Sequence, residues 1–395
     1  MRLKYAAAAI AAAFSMNPMV AADNNTPQIS FCKEPLPSST TESPASEPVA
    51  SIVQLAAENP FNSQPSSNMG CEETQTFTFY GSTFHACKDD VNQQLLNTFT
   101  LIGKIKQYEK EVLGLEETLN YLEYRSNRPG MEPTTVYLLS IVPENDTALD
   151  AVVVGIATDR EYREPLTVAT RLNSTVDDLL DEEAYYRAQG YDVYRRATSN
   201  FGLGCYLTPE LMQRATEAII AVVLEEDFHS NVRKNWHKYP KPDVEESTAN
   251  LVSHAGAVEI VSQYIGEDTE IYRSAVKALE DYKRFSLFVV DAYNDYEAIL
   301  TGGHADEERQ RLTDELFERV KKTWPSITNP AALSDRLPYT RLFPLAYAVY
   351  EHQDNVRAFV DLMKEMPDSE YSAIGYMEKY CNGCSYSPLT RHVIE

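Results

Sequence analysis

One short run in this chain combines residue types and spacing suited to metal chemistry: Glu225-Glu226-Asp227-Phe228-His229. On a helix, Glu225 and His229 are four apart and share a face. Glu226 sits one step round, three residues before His229. Helices carrying H-E-x-x-H hold zinc through histidines at i and i+4, and the glutamate beside the first takes a proton from an activated water. The window here is E-E-x-x-H. Glu226 fills the proton-accepting place, His229 the second histidine, and Glu225 stands where the first histidine would be. A set that replaces histidine by carboxylate is harder and more anionic, and suits manganese or iron as well as zinc. Glu226-x-x-His229 is also the E-x-x-H unit of di-metal bundles, but that arrangement needs a second such unit on another helix, and the chain has none.

These residues need a rigid helix and a partner element. Leu211 to His229 is rich in apolar residues, with Thr208 and Pro209 as a helix start, so a single buried helix is expected there. A polar loop, Val232 to Lys241, carries Trp236 and His237, the latter read as a loop histidine. A second helix is expected from Asp243, with Glu245 and Glu246 in its first turn. Upstream, Asp89 to Tyr124 repeats apolar residues at helical spacing. Thr74 to Phe84, Thr135 to Val142, Ala151 to Ala157 and Glu164 to Thr170 read as strands. From Val176 on, most of the chain reads as helix. The class predicted is α+β, mostly helical, with a small sheet.

Three segments, in this order, resemble a family of predicted bacterial aminopeptidases of the zincin-like, gluzincin type. Gln189-Gly-Tyr-Asp-Val-Tyr-Arg-Arg-Ala-Thr-Ser-Asn-Phe-Gly-Leu-Gly204 resembles the family's G-Y-D-V-Y-x-R segment and the glycine-containing stretch after it. The helix ending in Glu225 to His229 occupies the H-E-x-x-H place. Glu245-Glu-Ser-Thr-Ala249 resembles the N-E-S-x-A segment, whose glutamate is the third ligand. Leu337 to Met363 is similar to a late tyrosine-rich helix pair. The likeness spans roughly residues 130–365. It implies a zincin-like core and hydrolysis of peptide bonds by metal-activated water. It implies metal ligands at Glu225, His229 and Glu246, the catalytic base at Glu226, and zinc or another divalent metal such as manganese or iron as cofactor. Tyr191 and Tyr194 are candidates for stabilising an oxyanion, and His254, two helical turns beyond Glu246, for a substrate contact or a replacement ligand. A packing role is the alternative for each of the three. The chain departs from the family at Glu225. Two functions therefore follow: an exported metallopeptidase with an altered metal site, or a catalytically inactive pseudo-peptidase that binds a peptide or protein.

Composition frames these readings. With 35 Lys+Arg against 59 Asp+Glu, the net charge of −24 argues against nucleic acid as a partner. Arg2 and Lys4, the apolar run Tyr5 to Phe14, and Val20-Ala21-Ala22 before Asp23 have the layout of a secretory signal peptide over residues 1–22. That run is too short for a membrane span, which needs roughly 20 apolar residues. Residues 23–66, rich in Ser, Pro and Thr, read as a disordered leader, and residues 67–395 as the folded domain of a periplasmic or secreted protein. Six cysteines permit three disulfides; Cys71 with Cys87 is the expected pair, flanking a candidate hairpin, and Cys381-Asn-Gly-Cys384 reads as a local structural disulfide. Mass spectrometry of protein collected outside the cytoplasm should place the N-terminus at Asp23; an intact Met1 would contradict the export reading.

Overall fold

The computed structural model describes residues 71–381, apart from 72, 127–135, 145–151, 159–170, 173–175, 199–204 and 239. The signal segment, the leader, the strand expected at Glu164 to Thr170 and Cys384 lie outside the described residues. The described residues are mostly helical with two small sheets, as the α+β reading expects.

A hairpin comes first. Strands β1 (Thr74–Phe79) and β2 (Ser82–Cys87) pair antiparallel across Tyr80-Gly81. Both turn residues have positive φ, 52° and 85°, the geometry that matches the twist of a two-residue hairpin. The Cys71–Cys87 disulfide ties its open end. Phe84 is buried and stacks on Phe99 at 4.7 Å, which docks the hairpin on α1 (Gln93–Tyr108). The fit is close: a Cβ at Gly103 would stand 2.7 Å from the Phe79 carbonyl oxygen. The single long helix expected over Asp89 to Tyr124 is shorter. After α1 one π-helical turn runs over Glu109–Leu113, and Gly114, at φ 60°, ends it in the left-handed conformation that favours glycine at a helix C-terminus. The next stretch runs beside the hairpin, Tyr124 N–H donating to the His85 carbonyl at 2.9 Å.

The second sheet has the order β5 (Arg171–Leu172), β4 (Val152–Thr158), β3 (Val136–Pro143), β6 (Tyr191–Thr198). β3 is antiparallel to both neighbours. Helix α2 (Val176–Ala188) covers one face, where Leu139, Ile141, Leu179 and Val193 form a small core. β6 is the strand that periodicity did not isolate, because it sits in a stretch read as mainly helical; its Gly190 has φ 80° and turns the chain out of α2.

The rest is a helical body with one large core. Its elements are α3 (Pro209–Met212), α4 (Thr216–Ser230), α5 (Pro242–Tyr264), α6 (Glu270–Thr301), α7 (Asp306–Thr323), α8 (Pro330–Thr340), α9 (Phe343–Tyr350), α10 (Val356–Glu365) and α11 (Glu370–Tyr380). Thr208 caps α3 as expected, its side chain accepting from Leu211 N–H at 3.3 Å. The expected helix over Leu211 to His229 is divided, however: α3 stops at Met212, and α4 begins afresh after Ala215, whose ψ of 150° is extended. Helix α5 packs along α4, with Gly256 so close that a Cβ there would meet Leu224 Cδ1 at 2.8 Å. Helix α8 lies between this pair and the sheet: Ser140 donates to Asp335 at 3.1 Å, and Arg196 pairs with Asp335 at 3.2 Å. No helix among the described residues is long and apolar enough to cross a membrane.

Of the three consecutive acids, Asp227 turns away from its neighbours and joins α4 to α1. It is fully buried and ion-paired with Lys106, accepts from Thr118, and accepts from Asn120 Nδ2 at 2.9 Å. Glu109 is bonded to it too; burial and the Asp227 charge push the Glu109 carboxyl well above its ordinary range. Removing one member of a buried ion pair strands the other in a medium that solvates it poorly. Asp227→Ala should therefore cost about 3–5 kcal/mol in urea unfolding, and adding Lys106→Met should recover part of that loss. A strictly additive double variant would show that the pair is not coupled.

Candidate metal centre

Helix α4 is apolar on nearly every side through Ile219 to Leu224, so its C-terminal turn is buried together with its charges. Glu225, Glu226 and His229 are 3 %, 5 % and 3 % exposed, and Glu246 on α5 is fully buried. The spacing of four brings Glu225 and His229 to one face, and the packing of α5 on α4 carries Glu246 to them. The result is a group in which Glu225, His229 and Glu246 each offer one ligand atom within 4.8 Å of the others. Glu226 is not among the three, as expected of a carboxyl one step round the helix.

His229 Nε2 lies 3.3 Å from Glu246 Oε2. Yet His229 Nε2, both Glu246 oxygens and Glu226 Oε1 are buried with no properly formed hydrogen bond among the described residues. Buried polar atoms are almost always partnered, because leaving one bare costs its full desolvation. A convergent set of such atoms, most of them anionic, is the surrounding a divalent cation completes. The donors present, two carboxylates and one imidazole, fit zinc, manganese or iron.

The neighbours hold this set in place. Asn250 Nδ2, one turn along α5 from Glu246, donates to Glu225 Oε1 at 3.3 Å and to the Glu246 carbonyl at 2.9 Å. Glu245 takes the other side of the histidine: its Oε1 is 2.8 Å from His229 Nδ1 and 2.7 Å from Arg233 Nε. Cys205 is hydrogen-bonded to Glu226 and is not in a disulfide. Six cysteines permit three disulfides, but this one is a free thiol buried at the site. Cys381 is disulfide-bonded.

The electrostatics follow from burial. It pushes Glu226 up to about 7, with the His229 charge pulling down and Glu246 pushing up. It raises Glu246 as well, against the pull of His229. Burial alone would lower His229, but the Glu246 charge and the Glu245 hydrogen bond outweigh it and hold the imidazole well above its ordinary value. Burial opposes ionisation of Glu245 too, yet His229 and Arg233 keep it below the usual carboxylate value.

The remaining candidates stand outside the three-residue group. His254 is buried against the Tyr282 ring, 4.7 Å between centroids, and burial pushes it down to about 4, so it is neutral at pH 7. Tyr194 accepts from Arg336 Nη2 at 2.7 Å. Tyr191 packs in the small core under the sheet, edge-on to Tyr186. His237 is exposed in its loop, at φ 53°. Sequence reasoning had not singled out Glu245, Asn250, Arg233 or Cys205. For Asn250 a signal existed, since it follows Glu246 by four residues on the expected second helix, the spacing that shares a face; Arg233 fell in the stretch read as a loop. Cys205 had none.

No protein-family model, no curated protein and no solved structure matches this chain.

Metal ligands must give up their protons. His229 and Glu246 are both held above their ordinary values, so each keeps its proton to higher pH than a free side chain would, and a cation has to displace it. Metal affinity should therefore rise with pH through the neutral range, with protons released on binding. Isothermal titration in two buffers of different ionisation enthalpy counts those protons, and a binding heat independent of buffer would contradict the expectation.

Proposed function

We propose that the chain is an exported metal-dependent peptidase with a zincin-like core and an altered ligand set, E-E-x-x-H in place of H-E-x-x-H. In this reading Glu225, His229 and Glu246 hold one divalent cation and Glu226 is the general base. The observation that carries it is the convergence, between α4 and α5, of buried ligand atoms that lack hydrogen-bond partners. The order of the aminopeptidase-like segments supports the substrate class, and the Cys71–Cys87 disulfide supports export, since such bonds persist in oxidising compartments.

When bound, the cation supplies a Lewis acid that polarises water and the scissile carbonyl. The chain does the rest. Glu226 has a proton affinity near 7, which suits it to take a proton from the attacking water and return it to the leaving amine. Cys205 fixes that carboxyl on one side and leaves Oε1 without a partner. Glu225, held by Asn250, and Glu246 keep the negative charge concentrated where the cation sits.

One observation favours a second reading, the inactive pseudo-peptidase that binds a peptide or protein. All four site residues are at most 5 % exposed, whereas a catalytic metal keeps a position open to substrate.

Metal content separates the readings from each other and from a bare site. The purified protein should carry close to one divalent ion per chain, lost in Glu246→Ala. Glu226→Gln should keep the ion and lose peptide hydrolysis by about 100-fold or more, the size expected when proton transfer is removed. Protein that binds the ion but hydrolyses no peptide, and gains hydrolysis with Glu225→His, would establish the inactive reading. Protein that takes up no zinc, manganese or iron when supplied would defeat the peptidase reading.

A further inference from the structure

Glu245 stands beside the candidate ligand set without belonging to it, and its surroundings give it a specific task. It is the residue before Glu246 on α5, so the two side chains leave the helix about 100° apart. They reach the same imidazole from different sides: Glu246 lies against Nε2, and Glu245 Oε1 against Nδ1 at 2.8 Å. An imidazole has one proton to place when neutral, and the carboxylate at Nδ1 claims it. In the neutral ring the lone pair is then on Nε2, the atom that faces Glu246 at 3.3 Å. Glu245 is in turn held. Arg233 follows His229 by four residues on the π-helical turn Asn231–Asn235 that continues α4, so both project to the same side, and Arg233 Nε meets Glu245 Oε1 at 2.7 Å. Glu245 is 4 % exposed, while the Arg233 side chain is 21 % exposed. The chain from water to site is Arg233, Glu245, His229, and the arginine charge offsets the carboxylate charge. Glu245 thus adds orientation to the site without adding to its net negative charge.

We propose that Glu245 is a positioning residue that fixes the His229 ring and its Nδ1–H tautomer so that Nε2 is presented to a divalent cation. The inference rests on the metal-binding reading for the part that concerns affinity; the tautomer stands apart from it. Carboxylates placed this way behind a ligating histidine typically contribute 10- to 100-fold in metal affinity.

The test uses the whole folded chain with zinc and, separately, cobalt as probes, in competition with a chelator. Glu245→Ala should bind each ion about 10- to 100-fold more weakly than the unaltered protein. Glu245→Gln, of equal size and able to accept from Nδ1–H, should lose less. Long-range proton–nitrogen NMR of labelled histidine should show a protonated Nδ1 on His229, slow to exchange, in the unaltered protein and in Glu245→Gln, and its loss in Glu245→Ala. Equal affinities in all three folded proteins, or a His229 ring whose tautomer does not change in Glu245→Ala, would overturn the proposal. Should the unaltered protein bind neither ion, the metal reading fails. The NMR comparison on metal-free protein, recorded at a pH high enough for the His229 ring to be neutral, then decides the positioning role by itself: a His229 Nδ1–H present in the unaltered protein and lost in Glu245→Ala upholds it, and an unchanged ring overturns it.

Discussion

Four carboxylates packed around one imidazole, out of reach of water, are the constraint on which the rest of this structure turns. Glu225, Glu226, Glu245 and Glu246 are each at most 5 % exposed. Unneutralised, such a set is untenable, since a buried ion loses its hydration and its like-charged neighbours repel it. The chain answers in three ways. Arg233 and the Nδ1 side of the His229 ring take up Glu245. Burial shifts Glu226 and Glu246 toward their protonated forms. Asn250 and Cys205 supply neutral donors to Glu225 and Glu226. What these leave over are the bare atoms of His229, Glu226 and Glu246, and a divalent cation is the species that satisfies oxygen and nitrogen donors together.

The architecture makes that concentration of charge possible. Helices α4 and α5 lie in the middle of the large core, and α8 separates them from the sheet through the Ser140, Arg196 and Asp335 contacts. The three consecutive acids at the end of α4 divide by helical geometry alone, each about 100° from the last. Two meet α5 or Cys205, and Asp227 meets Lys106 of α1. One run thus supplies a site carboxylate, a carboxylate suited to proton transfer, and an anchor between helices. A burial pattern that would be a liability for one stray acid is sustained because every acid has a separate partner or a place at the shared centre.

Much of the scaffold could be read from the chain, and the places that could not have physical reasons. The hairpin was legible because Cys71 and Cys87 flank a segment of alternating Thr, Phe and Tyr residues; its turn at Tyr80-Gly81 came from the structure. Helices α4 and α5 were legible from their apolar runs, and the start of α3 from Thr208 and Pro209. The break at Gln213 to Ala215 was not, since an apolar run cannot distinguish one helix from two that abut. Strand β6 was hidden because Tyr191-Asp-Val-Tyr-Arg-Arg alternates too weakly to stand out beside α2, and becomes a strand through its pairing with β3. The end at Gly114 of the π-helical turn after α1 rests on one left-handed residue inside a strong helical period.

The sequence by itself determined what shares a face. Helical period places Glu225 with His229, and likewise Glu246 with Asn250 and His254, wherever those helices lie. It also set the composition of the site, acid-rich with a single histidine. Tertiary structure alone decided which of these faces meet. The packing of α5 on α4 joined Glu246 to Glu225 and His229, left His254 against Tyr282, and set Tyr191 under the sheet. It also chose Glu245 as the partner of Nδ1 and brought Cys205 to Glu226. Periodicity is a property of one helix, whereas a site is made by the distance between two, and that distance follows from how whole helix surfaces fit.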